Sequence, residues 1–249
     1  MRLGRILSIT LITIITAGGA SCIGDARRSA PPPRQKKKTE GYQAVAVDSV
    51  IPQADKNQRY THLTEDDFRR VAKELQVEIA AIKAVVEVEA GKAMKGFWAP
   101  GVPVVNYDKS MWSHCKRLVK KNDRLSASAT IPKGLTTEAS RRAWQRLVAA
   151  QKKNIEQANL STFWGMFQIG GFNYKLCGCE SIGQFVNLMS YSELEQLELF
   201  AALIVNCNMV QYLRQKNWAA FARKYNGASY ARRGYHTRMA NAYKKYASQ

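Results

Sequence analysis

The sequence is short of acidic residues, of histidine and of long apolar runs. Its 19 Asp and Glu face 38 Lys and Arg, a formal +19. So few carboxylates leave a chain suited to a polyanionic partner: nucleic acid, an anionic membrane surface or an acidic wall polymer. There are three histidines. His114 and His236 lie within the body of the chain, and neither stands at ligand spacing to a cysteine. That argues against reading Cys177-Gly178-Cys179 as a metal or redox motif, and no metal or cofactor is expected. The N-terminal apolar run, Ile6 to Ala17, is shorter than the roughly 20 residues needed to cross a bilayer. No internal repeat and no nucleic-acid recognition motif is visible.

That N-terminal run has another reading. Arg2 and Arg5 precede it, and small residues and a cysteine follow it, the pattern of a secretory signal over residues 1–22. Gly19-Ala20-Ser21-Cys22 resembles a bacterial lipobox, with glycine where leucine is usual. Lipidation at Cys22, and a place in the bacterial envelope held by a lipid anchor, is the expectation; plain export is the alternative. An exported chain meets an oxidising compartment. Cys115, Cys177, Cys179 and Cys207 are then structural cysteines, free or bridged, and four cysteines allow three connectivities.

Residues 23–60 read as a tether, because APPPRQKKK joins a polyproline run to a basic cluster with no periodic pattern after it. Of the +19, residues 1–60 carry +6, so +13 falls on residues 61–249. The 46% apolar content supplies a core for one domain there. LTEDDFRRVAKELQ opens with Thr64 and Asp67 at capping-box spacing and puts Phe68, Val71, Ala72 and Leu75 on one face. VEIAAIKAVVEVEA is a second helix, stopped by Gly91. Residues 92–112 suit loops and a short hairpin. TTEASRRAWQRLVAAQKKNIEQA reads as one amphipathic helix, WGMFQIGGFNYKLCG as a loop, and the remainder as short helices. The expected class is mainly α with a small β or loop insert.

Two glutamates stand at the end of the second helix. A helix turns 100° per residue, so Glu87 and Glu89 cannot share a face. Glu89 lines up with Ile82 and Val85; Glu87 falls one turn after Lys83, in an exposed or helix-bridging position. A carboxyl among apolar side chains has its charged form disfavoured and its pKa raised, as a general acid near neutral pH requires. The alternative for Glu89 is a helix-end residue bonded to an arginine.

Glu89-Ala-Gly, the loop Gly165-Met166-Phe167-Gln168-Ile169 and Tyr225-Asn226-Gly227 recur in the order and spacing of the lysozyme-like superfamily. Nearly all of residues 62–247 resembles the N-acetylmuramidase family of phage endolysins and wall-active bacterial proteins. The resemblance implies a lysozyme-like α-rich domain cleaving the β-1,4 bond between N-acetylmuramic acid and N-acetylglucosamine in peptidoglycan. It implies Glu89 as general acid. Tyr107-Asp108-Lys109-Ser110 stands at the family's F-E-x-H segment, with Asp for Glu and Ser for His. Asp108 is the candidate second carboxylate, against the alternative of a turn-capping aspartate; no role passes to Ser110. Gln168 and Asn226 suit the acetamido and hydroxyl groups of a glycan. Tyr225 suits an aromatic wall or a hydroxyl donor, Tyr107 is a further substrate-binding candidate, and Trp164 is either a sugar platform or core. A lytic transglycosylase and a non-catalytic peptidoglycan-binding lipoprotein are the alternatives. Peptidoglycan carries stem-peptide carboxylates, so the basic domain favours it over nucleic acid.

Overall fold

The computed structural model describes residues 60–119 and 129–249. The expected signal segment with Cys22, and the tether up to residue 59, lie outside the described residues.

Helix α1 (Glu65–Leu75) begins where Thr64 and Asp67 close a reciprocal capping box, with Asp67 Oδ2 accepting from the Thr64 amide at 2.9 Å. Its apolar face buries Phe68, Val71, Ala72 and Leu75. Helix α2 (Ile79–Ala90) is hidden on most sides, with Ala80, Ala81, Ile82, Ala84, Val85, Val86 and Val88 all buried. Its small and β-branched side chains let neighbouring helices approach closely. Gly91 stops it with φ at +78°, a conformation that costs glycine little.

Strands β1 (Phe97–Ala99) and β2 (Val102–Pro103) form the expected short hairpin around Pro100-Gly101. Strand β3 (Val105–Tyr107) leaves it to pair antiparallel with β4 (Thr162–Trp164), which pairs in turn with β5 (Ile169–Gly170). The segment read as a loop is therefore a hairpin whose turn is Gly165–Gln168, and a second, three-stranded sheet joins the two halves of the chain. Short strands of three and two residues leave too little alternation to be seen in the sequence.

A 3-10 turn (Lys109–Met111) leads into helix α3 (Trp112–Lys116). The single amphipathic helix expected next is broken into α4 (Glu138–Gln151) and α5 (Ile155–Leu160). Asn154 ends that continuity: its side chain accepts from the Gln157 amide at 2.8 Å, starting a new helix. Helices α6 (Ile182–Met189), α7 (Glu193–Asn206), α8 (Val210–Arg214), α9 (Trp218–Asn226) and α10 (Tyr235–Ala247) complete the domain. The side chains of Ser181, Ser192 and Asn217 cap three of them. Helix α10 lies along α2, α9 packs on α10, and α1 packs on both α2 and α7. The fold is thus mainly α with small antiparallel sheets. Among the described residues no helix is long and apolar enough to cross a membrane.

Cys115 and Cys177 are buried free thiols, so none of the three connectivities among the four domain cysteines forms. Burial holds both thiols above their ordinary pKa.

Candidate active site

The two glutamates of α2 have opposite fates. Glu87 accepts from Lys245 Nζ at 2.8 Å and from the Tyr246 hydroxyl at 2.5 Å, tying α2 to α10. Those hydrogen bonds hold its carboxyl below the ordinary carboxylate range. Lys83, one turn earlier, pairs with Glu65 rather than with Glu87. Of the two readings of Glu87, the helix bridge is therefore the one realised.

Glu89 sits in the last turn of α2 on the side facing α9 and α10. Asn226, the last residue of α9, donates from Nδ2 to Glu89 Oε1 at 2.8 Å. Part of the residue reaches solvent, while protein atoms crowd its carboxyl on nearly every side. That desolvation raises its pKa to about 7, and it outweighs the opposing pull of the Asn226 hydrogen bond and the Arg238 charge. The helix-end alternative, an arginine bonded to Glu89, takes another form here. Arg238 Nη2 donates to the backbone carbonyl of Val88 at 3.0 Å, and its guanidinium lies over the Tyr235 ring. The cation is near enough to favour the carboxylate, yet it is spent on the backbone.

Tyr225, expected to wall the cleft, is buried at 3% exposure. Its hydroxyl donates to the Phe167 carbonyl at 2.7 Å, and its ring stacks on Phe221. It is a tie between α9 and the β4–β5 turn, not a substrate wall. Trp164 is corrected likewise. It is fully buried, donates to the Asn159 carbonyl at 3.0 Å, and meets Trp144 edge-on, so the core reading holds. Phe167 is also core, stacked on Phe200.

Gln168 remains half-buried at the turn, in the left-handed region at φ +48°. A non-glycine residue pays out strain there, and such positions cluster at functional sites. Its Nε2 donates to the Gly165 carbonyl at 2.9 Å, leaving its side-chain oxygen open to a donor. Tyr107 is half-buried on β3 beside Trp112. The next residue, Asp108, caps the 3-10 turn, with Oδ1 accepting from the Ser110 amide at 2.8 Å and the Ser110 hydroxyl at 2.6 Å. The turn-capping reading is therefore realised for Oδ1. No hydrogen bond joins Asp108 to Glu89, whose described partner is Asn226.

Two residues that the sequence reading missed build the site from behind. Gln196, wholly buried on α7, accepts from the Met166 amide at 2.8 Å and donates to the carbonyls of Met189 and Gly96. Glu193, one turn earlier, accepts from the Gly96 amide at 2.8 Å and the Leu63 amide at 3.0 Å. Together they fix the segment leaving α2 against the β4–β5 turn. A Cβ on Gly165 would stand 2.6 Å from Gln196 Oε1, and φ there is +68°. The available signal was Gln196 itself, an amide standing among Leu194, Leu197 and Phe200. Arg238 carried no such signal in its basic, polar surroundings. Among the described residues no three His, Cys, Asp or Glu side chains gather as a metal set.

Known proteins can be set beside this geometry. No curated protein matches the chain. The crystal structure of a Burkholderia AP3 phage endolysin is similar to it, with 34% identity over 75% of this chain and 71% of that one, at a TM-score of 0.61. The N-acetylmuramidase family matches residues 78–247, which include Glu89, Gln168 and Asn226. The protein is accordingly a glycoside hydrolase of the lysozyme type acting on peptidoglycan. With a helix-ending glutamate enclosed by α9 and α10, and with that match over most of its length, the chain belongs to the N-acetylmuramidase family.

Proposed function

We propose that the enzyme cleaves the β-1,4 bond between N-acetylmuramic acid and N-acetylglucosamine, with Glu89 as the general acid. The supporting observation is the enclosed Glu89 carboxyl, which burial keeps half protonated near pH 7. A proton held there can pass to the glycosidic oxygen, and the carboxylate left behind is stabilised by Asn226 Nδ2 and the nearby Arg238 charge. Gln168 offers its side-chain oxygen to the N-acetyl and hydroxyl groups of the sugars, while Asn226, expected to do the same, has its amide turned to Glu89 and buried. Tyr107 ends β3 immediately before Asp108.

Asp108 is the second carboxylate of this proposal. Its Oδ1 is engaged by Ser110, which orients Oδ2 as the oxygen that activates water or steadies the oxocarbenium-like transition state. The same engagement favours a second reading, a lytic transglycosylase. There Glu89 acts as acid and then as base, the muramyl C6 hydroxyl attacks in place of water, and a 1,6-anhydro end results.

Mass spectrometry of soluble fragments from purified peptidoglycan tests both. Reducing N-acetylmuramic ends support the muramidase; fragments lighter by one water support the transglycosylase and overturn hydrolysis. Asp108→Asn then cuts a hydrolytic rate by about 10²–10⁴-fold, and an unchanged rate removes Asp108 from the mechanism. Export and lipid anchoring at Cys22 belong to this proposal too. Metabolic labelling with a fatty acid that is lost in Cys22→Ala supports them; labelling unaffected by the substitution removes the anchor at Cys22, and retention of the protein in the cytoplasm removes export.

A further inference from the structure

In the chain, Glu89 is bracketed by two basic loops. The segment that leaves α2, Gly91 to Gly96, exposes Lys92 and Lys95. The segment that leaves Asn226, Gly227 to Gly234, exposes Arg232 and Arg233. The Asn226–Glu89 hydrogen bond and the Arg238–Val88 hydrogen bond hold the roots of these loops together.

Both loops are ordered by their own backbones. Met94 donates to the Gly91 carbonyl at 2.9 Å, and Gly96 is gripped by Glu193 and Gln196. Tyr230 donates to the Gly227 carbonyl at 3.1 Å, Arg233 to Ser229 at 3.2 Å, and Gly234 to Ala231 at 3.0 Å. The Tyr230 ring packs edge-on against His236. The cations therefore project from preformed turns, which lowers the entropy lost on binding.

None of the four forms an ion pair with a described carboxylate, whereas Lys83, Arg70, Arg142, Lys216 and Lys245 each do. Among the described residues Arg238 is the cation that acts on the Glu89 carboxyl, while the charge of Lys92 reaches Glu87, so these four side chains have no part in holding the Glu89 proton. Nor do they suit the sugars, which are uncharged once the muramic lactyl group is joined in an amide. The charged part of peptidoglycan is the peptide carried by that lactyl group, with its free carboxylates. Arginine forks and lysine ammonium groups complement carboxylates directly.

We propose that Lys92, Lys95, Arg232 and Arg233 form a docking surface for the stem-peptide carboxylates of peptidoglycan. The enzyme then cuts peptide-bearing strands in preference to bare glycan. This inference rests on Glu89 being the reacting centre.

The test compares wild type with a Lys92→Gln, Lys95→Gln, Arg232→Gln, Arg233→Gln variant on two substrates: intact peptidoglycan, and the same glycan stripped of peptides by an amidase with its freed lactyl carboxylates then capped as methyl amides. Sedimentation with each substrate is measured in parallel on the Glu89→Gln background. Four exposed charge contacts lead us to expect about a tenfold preference of wild type for the peptide-bearing form at low salt, fading by about 1 M salt. The variant loses that preference through KM, while its rate on stripped glycan stays unchanged. Three results overturn the proposal: no preference in wild type, a preference retained by the variant, or equal losses on both substrates. If wild type cleaves neither substrate, the catalytic reading fails instead. Sedimentation then decides alone: peptide-dependent, charge-dependent binding upholds the docking surface, and indifferent binding overturns it.

Discussion

Asn226 Nδ2 and Glu89 Oε1 meet at 2.8 Å across 137 residues of chain. The bond joins the last turn of α2 to the last residue of α9, and it places an amide donor on the carboxyl that burial leaves half protonated at about pH 7. Asn226 Oδ1, on the same amide, is buried with no hydrogen-bond partner in the described structure. The amide is thus committed to Glu89 on one side and left unsatisfied on the other.

Glu89 couples its proton to folding. Its folded pKa of about 7 lies above the ordinary 4.5, so the native chain binds that proton more tightly than the unfolded chain. The linked stabilisation is complete below about pH 4.5 and is lost as the pH rises through 7. Across that window wild type should lose up to roughly 3 kcal/mol that Glu89→Gln does not. Thermal melts of the two proteins at pH 4.5 and pH 8 check this, with the difference widening in favour of glutamine. Parallel melts would mean an ordinary carboxyl. For the same reason kcat/KM should fall as the pH rises above about 7.

Removing the Arg238 charge should move that limb. Arg238→Gln leaves desolvation of Glu89 less opposed, so its proton is held to higher pH and the descending limb shifts in the alkaline direction. Arg238→Lys should restore much of the wild-type profile, because the charge returns without the planar fork. The pH dependence of kcat/KM for the three proteins measures both. A limb that stays in place would limit Arg238 to holding the Val88 carbonyl.

Losing the Asn226 amide should misplace the acid. Asn226→Ala frees the Glu89 carboxyl to rotate, and a displacement of about 1 Å costs on the order of 10²-fold in rate. Asn226 Oδ1 has no partner to lose, so the stability cost is limited to leaving Glu89 Oε1 without its donor, about 1–3 kcal/mol. Steady-state kinetics and calorimetry on one preparation separate the two effects; a large fall in stability without loss of kcat would make Asn226 a structural residue.

The Gln196 anchor should be mainly a matter of stability. Gln196→Leu strands the Met166 amide and weakens the hold on Gly96 and Met189. Leaving buried groups unsatisfied costs roughly 3 kcal/mol, or about 6–12 °C in melting temperature for a domain of this size. Differential scanning calorimetry reads it directly, and an unchanged Tm would show that the turn is held by other contacts.

Much of this molecule follows from local pattern. The capping box at Thr64, the buried face of α1, the span of α2 and its stop at Gly91 all rest on interactions within a few residues. The separation of Glu87 from Glu89 follows from helix geometry alone. The raised pKa of Glu89 follows from the apolar company it keeps in sequence, completed by burial.

Other features depend on segments that only folding brings together. The pairing of β3 with β4 joins residues such as Asn106 and Phe163 that lie far apart in the chain, and neither strand is long enough to announce itself. Tyr225 and Trp164 carry the same side chains whether they face a glycan or the core. Their fate was settled by which carbonyls, Phe167 and Asn159, came within reach of their donors. Lys83 passed over the glutamate one turn away for Glu65 on a neighbouring helix, and Glu87 turned to α10. Composition and helical period determined that this protein would carry a carboxyl at the apolar end of a buried helix. Long-range hydrogen bonding alone decided that Asn226 and Arg238 would flank it and that Gln196 would anchor the turn behind the site, because such partners are selected by distance in the folded chain and leave no period in the sequence.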